Sequence, residues 1–125
     1  MRRLDLLLLR LKTNDVRTRD SPAYPDLQPL ELALDPAAAW TVVLEAARAM
    51  PGWRILDTDA ATRRIRAEAT TPALRFTDDL WIEVEPAPRG SRVDVRSASR
   101  VGVTDFGTNA RRIRAYLNRV AASAP

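Results

Sequence analysis

Two short stretches of the chain concentrate the side chains that could do chemistry. The first, at 75–79, contains two adjacent carboxylates, and the second, at 95–113, combines arginines, serines, glycines and an asparagine. The second stretch leads into a predicted helix that begins near Thr108, and a helix start offers free N–H groups to an anion. With Arg96 and Arg100 nearby, the loop could hold a phosphate or carboxylate through bidentate hydrogen bonds. The candidate ligand-binding residues are Phe76, Asp78, Asp79, Arg96, Ser97, Ser99, Arg100, Asp105, Asn109 and Arg112.

The same polar residues also fit a purely structural network. Asp105 could cap the last helix from within, and one of the two adjacent carboxylates could pair with Arg96 or Arg100. Ser97 and Ser99 would then satisfy loop amides. We favour this structural interpretation, and a ligand site remains the alternative.

The composition excludes most other chemistry. The 125 residues include no cysteine and no histidine, which rules out disulfides, thiol catalysis, cysteine-held zinc and Ser-His-Asp triads. We therefore predict no catalytic residue, no metal site and no cofactor, and a non-enzymatic accessory or binding module. The alternative is an anion-binding or hydrolytic site at the 96–109 loop, with Asp79 or Asp105 as the base and Asn109 orienting the ligand.

The net charge of +4 originates in the last third of the chain. Residues 86–125 carry 8 basic and 2 acidic side chains, whereas residues 1–35 are balanced. Nineteen of the 20 basic residues are arginine, a bias typical of GC-rich codon usage and of solvated surface. A third hypothesis is contact of the last helix with an anionic membrane or nucleic acid, although the strands lack the aromatic pair of RNA-binding sheets. The arginines predicted to face outward on this helix are Arg111, Arg112 and Arg119.

The first twelve residues predict a short amphipathic helix whose leucines recur at i, i+3, i+4 and i+7. Asp5 and Arg10 interrupt the apolar run and no cleavage site follows, so we expect neither a signal peptide nor a membrane span. A cytoplasmic location is expected, with peripheral membrane association left open. The apolar face could dock on its own domain, on another protein or on a membrane surface. Its leucines are Leu4, Leu7, Leu8 and Leu11.

The stretch after this helix is rich in Asp, Pro, Ser and Thr and predicts an extended linker. The expected organisation is an N-terminal amphipathic segment with linker over 1–28, followed by one α+β domain over 29–125. In that domain, alternation and helical spacing predict the order β-α-β-β-β-β-α. Asp35 and Pro36 mark the first helix start. Four consecutive strands on short turns form an antiparallel meander, which predicts a two-layer α+β sandwich with two helices covering one sheet face.

The second sheet face is predicted to carry opposite charges across neighbouring strands, as an open face would. Trp81 is a large aromatic residue on this charged side. It could pack under the N-terminal segment, contact a partner, or stack on neighbouring arginine side chains.

The two polar stretches resemble the domain-of-unknown-function family 1499, which is found widely in bacteria and in plastid-bearing organisms. The family pattern has an aromatic-x-Asp-Asp segment before a strand, then an Arg-Ser-x-Ser-Arg-x-Gly-x-x-Asp-x-Gly-x-Asn run leading into an Arg-rich helix. The resemblance spans roughly residues 23–120, with AYPDLQPL at 23–30 similar to the entry segment. It implies membership of this family and no particular activity. The matching residues are Phe76, Asp78, Asp79, Arg96, Ser97, Ser99, Arg100, Gly102, Asp105, Gly107, Asn109 and Arg112.

Overall fold

The computed structural model describes residues 2–72, 75–102 and 104–125, and within these ranges the chain forms three helices and six strands. The elements in chain order are α1 (Arg3–Leu11), β1 (Asp15–Arg17), β2 (Leu30–Leu32), α2 (Pro36–Ala49), β3 (Trp53–Asp59), β4 (Arg64–Thr70), β5 (Thr77–Ala87), β6 (Gly90–Ser99) and α3 (Thr108–Ser123).

The strands form one open antiparallel sheet in the order β1-β6-β5-β4-β3, and β2 also pairs with β6. The predicted meander is therefore confirmed, and so is the α+β fold class. Alternate residues of β4, β5 and β6 are buried, which places Ile65, Leu80 and Val95 in the core. One side of the sheet faces the helices α2 and α3, and the opposite side is open.

Helix α2 begins as the sequence predicts. The Asp35 carboxylate accepts the N–H of Ala38 at 2.8 Å, and Pro36 occupies the first turn. Its buried side is made of small residues and Val43, which lets α3 approach closely. The fully buried Tyr116 of α3 donates its hydroxyl to the Val43 carbonyl oxygen at 2.7 Å, and burial raises the pKa of this tyrosine. This hydrogen bond joins the two helices.

The stretch expected to be a linker contributes to the sheet and the core. Strand β1 pairs with β6, placing Val16 opposite Ser97. Val16, Tyr24 and Leu27 are buried within the same apolar core as the meander. A three-residue edge strand is too short to show alternation, because its apolar content is one valine between two charged residues. The structure thus differs from the linker expected before residue 29.

Helix α1 has the leucine face expected from its spacing, but this face does not dock on the domain. Its four leucines are 49% to 62% exposed. The opposite side holds the helix in place: Leu9 packs against the core, and Arg10 Nε donates to the Ala23 carbonyl oxygen at 3.0 Å. Across the described ranges, no helix has both the length and the apolarity needed to cross a membrane.

Candidate functional site

Nine of the ten candidate site residues are divided between the two faces of the sheet. Adjacent strand residues point to opposite sides, so Asp78 is buried beneath α3 while Asp79 lies on the open face. Phe76 precedes β5 and is exposed. The helix-side group is Asp78, Ser97, Ser99, Asp105, Asn109 and Arg112, and the open-face group is Asp79, Arg96 and Arg100.

A buried ion pair joins α3 to β5. Arg112 Nη1 lies 2.8 Å from Asp78 Oδ2, and the two side chains are 10% and 4% exposed. The same nitrogen lies 3.1 Å from Ser97 Oγ and 2.9 Å from Asn109 Oδ1, as donor to both. The prediction that Arg112 faces outward is therefore wrong. Arg112 follows Asn109 by three residues and precedes Tyr116 by four, so it shares their buried side of the helix.

Asn109 is the centre of the helix-side network. Its side-chain oxygen accepts from Ser97 Oγ at 2.6 Å. Its Nδ2 donates to Asp105 Oδ2 at 2.7 Å, to Ser99 Oγ at 2.9 Å and to the Asn14 carbonyl oxygen at 3.2 Å. The serines therefore bond to an asparagine side chain rather than to the loop amides expected from the sequence.

Asp105 satisfies the amides at the start of α3. Its carboxylate accepts the N–H of Gly107 at 2.7 Å and of Asn109 at 3.3 Å, and its carbonyl oxygen accepts the N–H of Thr108 at 3.1 Å. Gly107 has φ +83, a left-handed conformation that suits glycine. The predicted capping from within is confirmed, and these three amides are not free to bind an external anion.

The network leaves no buried group of its own unpaired. Among the described residues, the single buried side-chain nitrogen or oxygen without a hydrogen-bond partner is Arg92 Nε, which belongs to a different part of β6. Because unpaired buried polar groups are costly, complete internal pairing is what a structural network requires.

On the open face, Arg100 bridges two carboxylates. Its Nη2 lies 2.7 Å from both Glu68 Oε2 and Asp79 Oδ1. The Arg100 hydrogen bond holds the pKa of Asp79 below its usual value, and Arg54 together with Arg100 does the same for Glu68. The predicted pairing of Arg100 with one of the two aspartates is thus confirmed.

Arg96 pairs with Asp15, a residue that is not among the predicted site residues. Its guanidinium donates to both carboxylate oxygens of Asp15 at 3.0 and 2.7 Å, which raises the pKa of Arg96. Arg96 also lies 4.3 Å from the ring centroid of Trp81, and Arg66 lies 4.4 Å from the same ring. Trp81 therefore stacks between two arginines, the third of the alternatives considered for it. Both arginines lie opposite Trp81 in the sheet register.

A broad groove of about 650 Å³ runs over the open face beside Trp81. Several of the charged side chains along it are paired within the groove: Arg19 bonds to Asp94, and Arg64 to Glu83. The Thr18 hydroxyl also donates to Asp94 at 2.8 Å. The groove is consequently a polar surface lined by side chains of both charges, several of them paired.

Three participants were not among the predicted site residues. Asn14 enters the network through its carbonyl oxygen and also donates its Nδ2 to the Gly102 carbonyl oxygen at 2.6 Å. Asp15 and Glu68 are the carboxylates that pair with Arg96 and Arg100. Glu68 could be found from the pairing of β4 with β5, because it lies directly opposite Asp79 in that register. Asn14 and Asp15 reach the site through the pairing of β1 with β6, and β1 is not among the predicted strands.

The fold and the site define a small α+β protein with an open antiparallel sheet and an internally paired polar cluster under its last helix. The chain belongs to the family described as proteins of unknown function, DUF1499, whose sequence profile matches residues 8–120. No curated protein matches it in sequence.

Two solved structures resemble the chain. The crystal structure of Ara h 8.0201 superposes with a TM-score of 0.53 at 12% identity, covering 86% of this chain and 97% of that one. Protein CV1439 from Chromobacterium violaceum gives a TM-score of 0.49 at 13% identity, covering 88% of this chain and 96% of that one. At such low identity, the first similarity concerns the fold alone.

Proposed function

We propose that this protein is a non-enzymatic accessory or binding module, and that its Asp/Arg/Ser/Asn network is a structural clamp. The observation that carries the proposal is the complete internal pairing of Asn109, which is fully buried and bonds only within the chain. A residue in that position has no hydrogen-bonding capacity left for a substrate.

The clamp joins the last helix to three other parts of the chain. Arg112 connects α3 to Asp78 on β5, and Asn109 connects the same helix to Ser97 and Ser99 on β6. The Asn14 carbonyl oxygen adds the segment before β1. Such a network fixes the position of the last helix on the sheet. Its role is therefore structural rather than catalytic.

The hydrolytic alternative requires free amides and an unpaired base at the 96–109 loop. Asp105 already accepts three hydrogen bonds from the start of α3 and from Asn109. Asp79 accepts from both Arg66 and Arg100, and these bonds keep its pKa low, which disfavours it as a base near neutral pH. These contacts support the structural role. A cytoplasmic location is part of the same proposal.

A thermal-shift series with anions tests the proposal. Inorganic phosphate and small carboxylates should produce only a gradual rise in Tm that grows with concentration, because such salts are excluded from protein surfaces. A specific site would instead saturate, and at 100 times Kd it would add about 2.7 kcal/mol of stability. Arg100→Gln is the matched variant, since Arg100 would clamp the anion.

The two interpretations predict different results for this pair of proteins. With a structural network, the wild type and Arg100→Gln give parallel Tm curves at every anion concentration. A saturable rise in the wild type that Arg100→Gln abolishes would contradict the proposal and support an anion site.

A further inference from the structure

The exposed leucines of α1 form an apolar surface that the domain leaves uncovered. They occupy one side of a nine-residue helix and are 49% to 62% exposed. Together they expose on the order of a few hundred Å² of apolar surface, which is the size of the largest patch on a typical monomer, a patch that is often functional. Scattered single exposed leucines are ordinary, whereas four on one helix face are not.

Helix α1 is held so that this side faces solvent. On its other side, Leu9 packs against the core and the Arg10 guanidinium lies 4.7 Å from the ring centroid of Tyr24. At its end, Thr13 Oγ1 donates to the Leu9 carbonyl oxygen at 2.8 Å. The helix cannot turn its leucines inward without breaking these contacts.

A second apolar side chain is presented by the loop that precedes α3. Phe106 is 76% exposed and has φ +52, a left-handed conformation that is costly for an aromatic residue. The conformation is fixed on both sides: its N–H donates to Thr104 Oγ1 at 3.3 Å, and Asp105 Oδ1 accepts the N–H of Gly107. The chain therefore maintains backbone strain at a position where the phenyl ring projects into water.

The Phe106 loop and the end of α1 are neighbours. The N–H of Asp105 donates to the Thr13 carbonyl oxygen at 3.0 Å, and Thr104 Oγ1 contacts the Arg10 carbonyl oxygen at 3.5 Å. The leucine face and Phe106 thus belong to two elements that are bonded to each other. We call them together the apolar end, defined as Leu4, Leu7, Leu8, Leu11 and Phe106.

Basic residues flank the apolar end. Residues 2–12 carry four basic side chains and one acidic side chain. Arg2 and Arg3 are exposed at the start of α1, and Lys12 is exposed at its end. Beside Phe106, the exposed Arg111 donates its Nη1 to the Phe106 carbonyl oxygen at 3.0 Å. Exposed apolar side chains with cations on their margins complement an anionic lipid surface.

Other occupants fit these observations less well. A second copy would bring the cationic margins of two α1 helices together, and a patch of this size is below the roughly 800 Å² per partner of a stable dimer. Nucleic acid would use the cations but leave the leucines in water. A protein groove for α1 alone would not engage Phe106, which lies on a separate loop.

We propose that the apolar end binds the surface of membranes that contain anionic phospholipid, with the leucines and Phe106 at the level of the acyl chains and the basic residues among the headgroups. This inference deepens the proposed function by naming the partner of the binding module. The residues of the apolar end lie outside the clamp, so they can be replaced without removing any side chain of that network.

Vesicle flotation with the full chain tests the inference. The probes are vesicles of phosphatidylcholine alone and of phosphatidylcholine mixed with phosphatidylglycerol. The wild type should float with the mixed vesicles and not with the neutral ones, and added salt should weaken the binding. Leu7→Ser/Leu8→Ser and Phe106→Ser should each reduce it, the double variant by more than about tenfold. Leu56→Ser, an exposed leucine on β3, is the matched control and should bind like the wild type.

Three results would overturn the inference. They are no flotation with either vesicle at low salt, flotation that the two apolar-end variants do not reduce, and dimerisation of the wild type that Leu7→Ser/Leu8→Ser abolishes in sedimentation velocity. An unchanged Tm in the variants shows that they remain folded. The anion series separately decides the proposed function, so failure of vesicle binding leaves a module with a different partner.

Discussion

Individual arginines on the open sheet face hold carboxylates in their charged form. Arg100 bonds to both Glu68 and Asp79, and the pKa values of these two groups lie below their ordinary values. In the unfolded chain these carboxylates return to ordinary values of 4.5 and 3.8. The native state therefore binds fewer protons than the unfolded state in this range, and stability rises with pH.

We expect Asp79→Asn to reduce the acid sensitivity of the fold. The stabilisation from Asp79 is fully present above its unfolded pKa and is lost as pH falls through its lowered folded value. The Tm of the wild type should thus fall between about pH 5 and pH 2, and the curve for Asp79→Asn should fall less steeply and converge with it. Parallel Tm curves for the two proteins would show that Asp79 makes no such contribution.

Among the elements, β1 and the residues after it complete the apolar core beside β6. Val16 pairs with Ser97 of β6 and is fully buried, and Tyr24 and Leu27 belong to the same core. Two arginines also lie over the Tyr24 ring. The guanidinium of Arg10 on α1 is 4.7 Å from the ring centroid, and that of Arg114 on α3 is 5.5 Å from it. These residues tie the N-terminal quarter of the chain to the last helix.

Two truncations separate the contribution of α1 from that of β1. Removal of residues 2–12 should leave a folded protein, because α1 has no fully buried residue and only Leu9 of its leucines packs against the core. Removal of residues 2–28 should cost at least about 5 kcal/mol, since three large side chains leave the core. Urea unfolding measures the free energy of unfolding of both truncated proteins. Equal stability of the two truncated proteins would contradict the assignment of β1 and the following turns to the core.

The elements also show what the sequence can predict. The meander and both later helices follow from local periodicity, because alternation and 3.6-residue spacing report burial directly. The stacking of Trp81 depends on its register with Arg66 and Arg96, which strand pairing decides. The burial of Arg112 depends on Asp78, a partner on another element. A feature that depends on a contact between two distant segments cannot be predicted from the local pattern of either segment.

For the whole molecule, the clamp joins the helical layer to the sheet layer through a buried charge pair. The cost of removing one partner of such a pair is about 3–5 kcal/mol, because the other charge is left buried without compensation. Replacing both partners with apolar side chains of similar volume is often neutral or stabilising. An exposed pair such as Arg96 and Asp15, whose side chains are 36% and 42% exposed, contributes about 0–1 kcal/mol.

Urea unfolding of the Asp78 and Arg112 variants tests the structural role of the network most directly. If the network is structural, Arg112→Ala loses about 3 kcal/mol or more, Asp78→Leu/Arg112→Met recovers most of that loss, and the control Arg96→Ala changes stability by no more than about 1 kcal/mol. An Arg112→Ala variant as stable as the wild type would contradict the structural role, because the buried ion pair would then contribute nothing to folding.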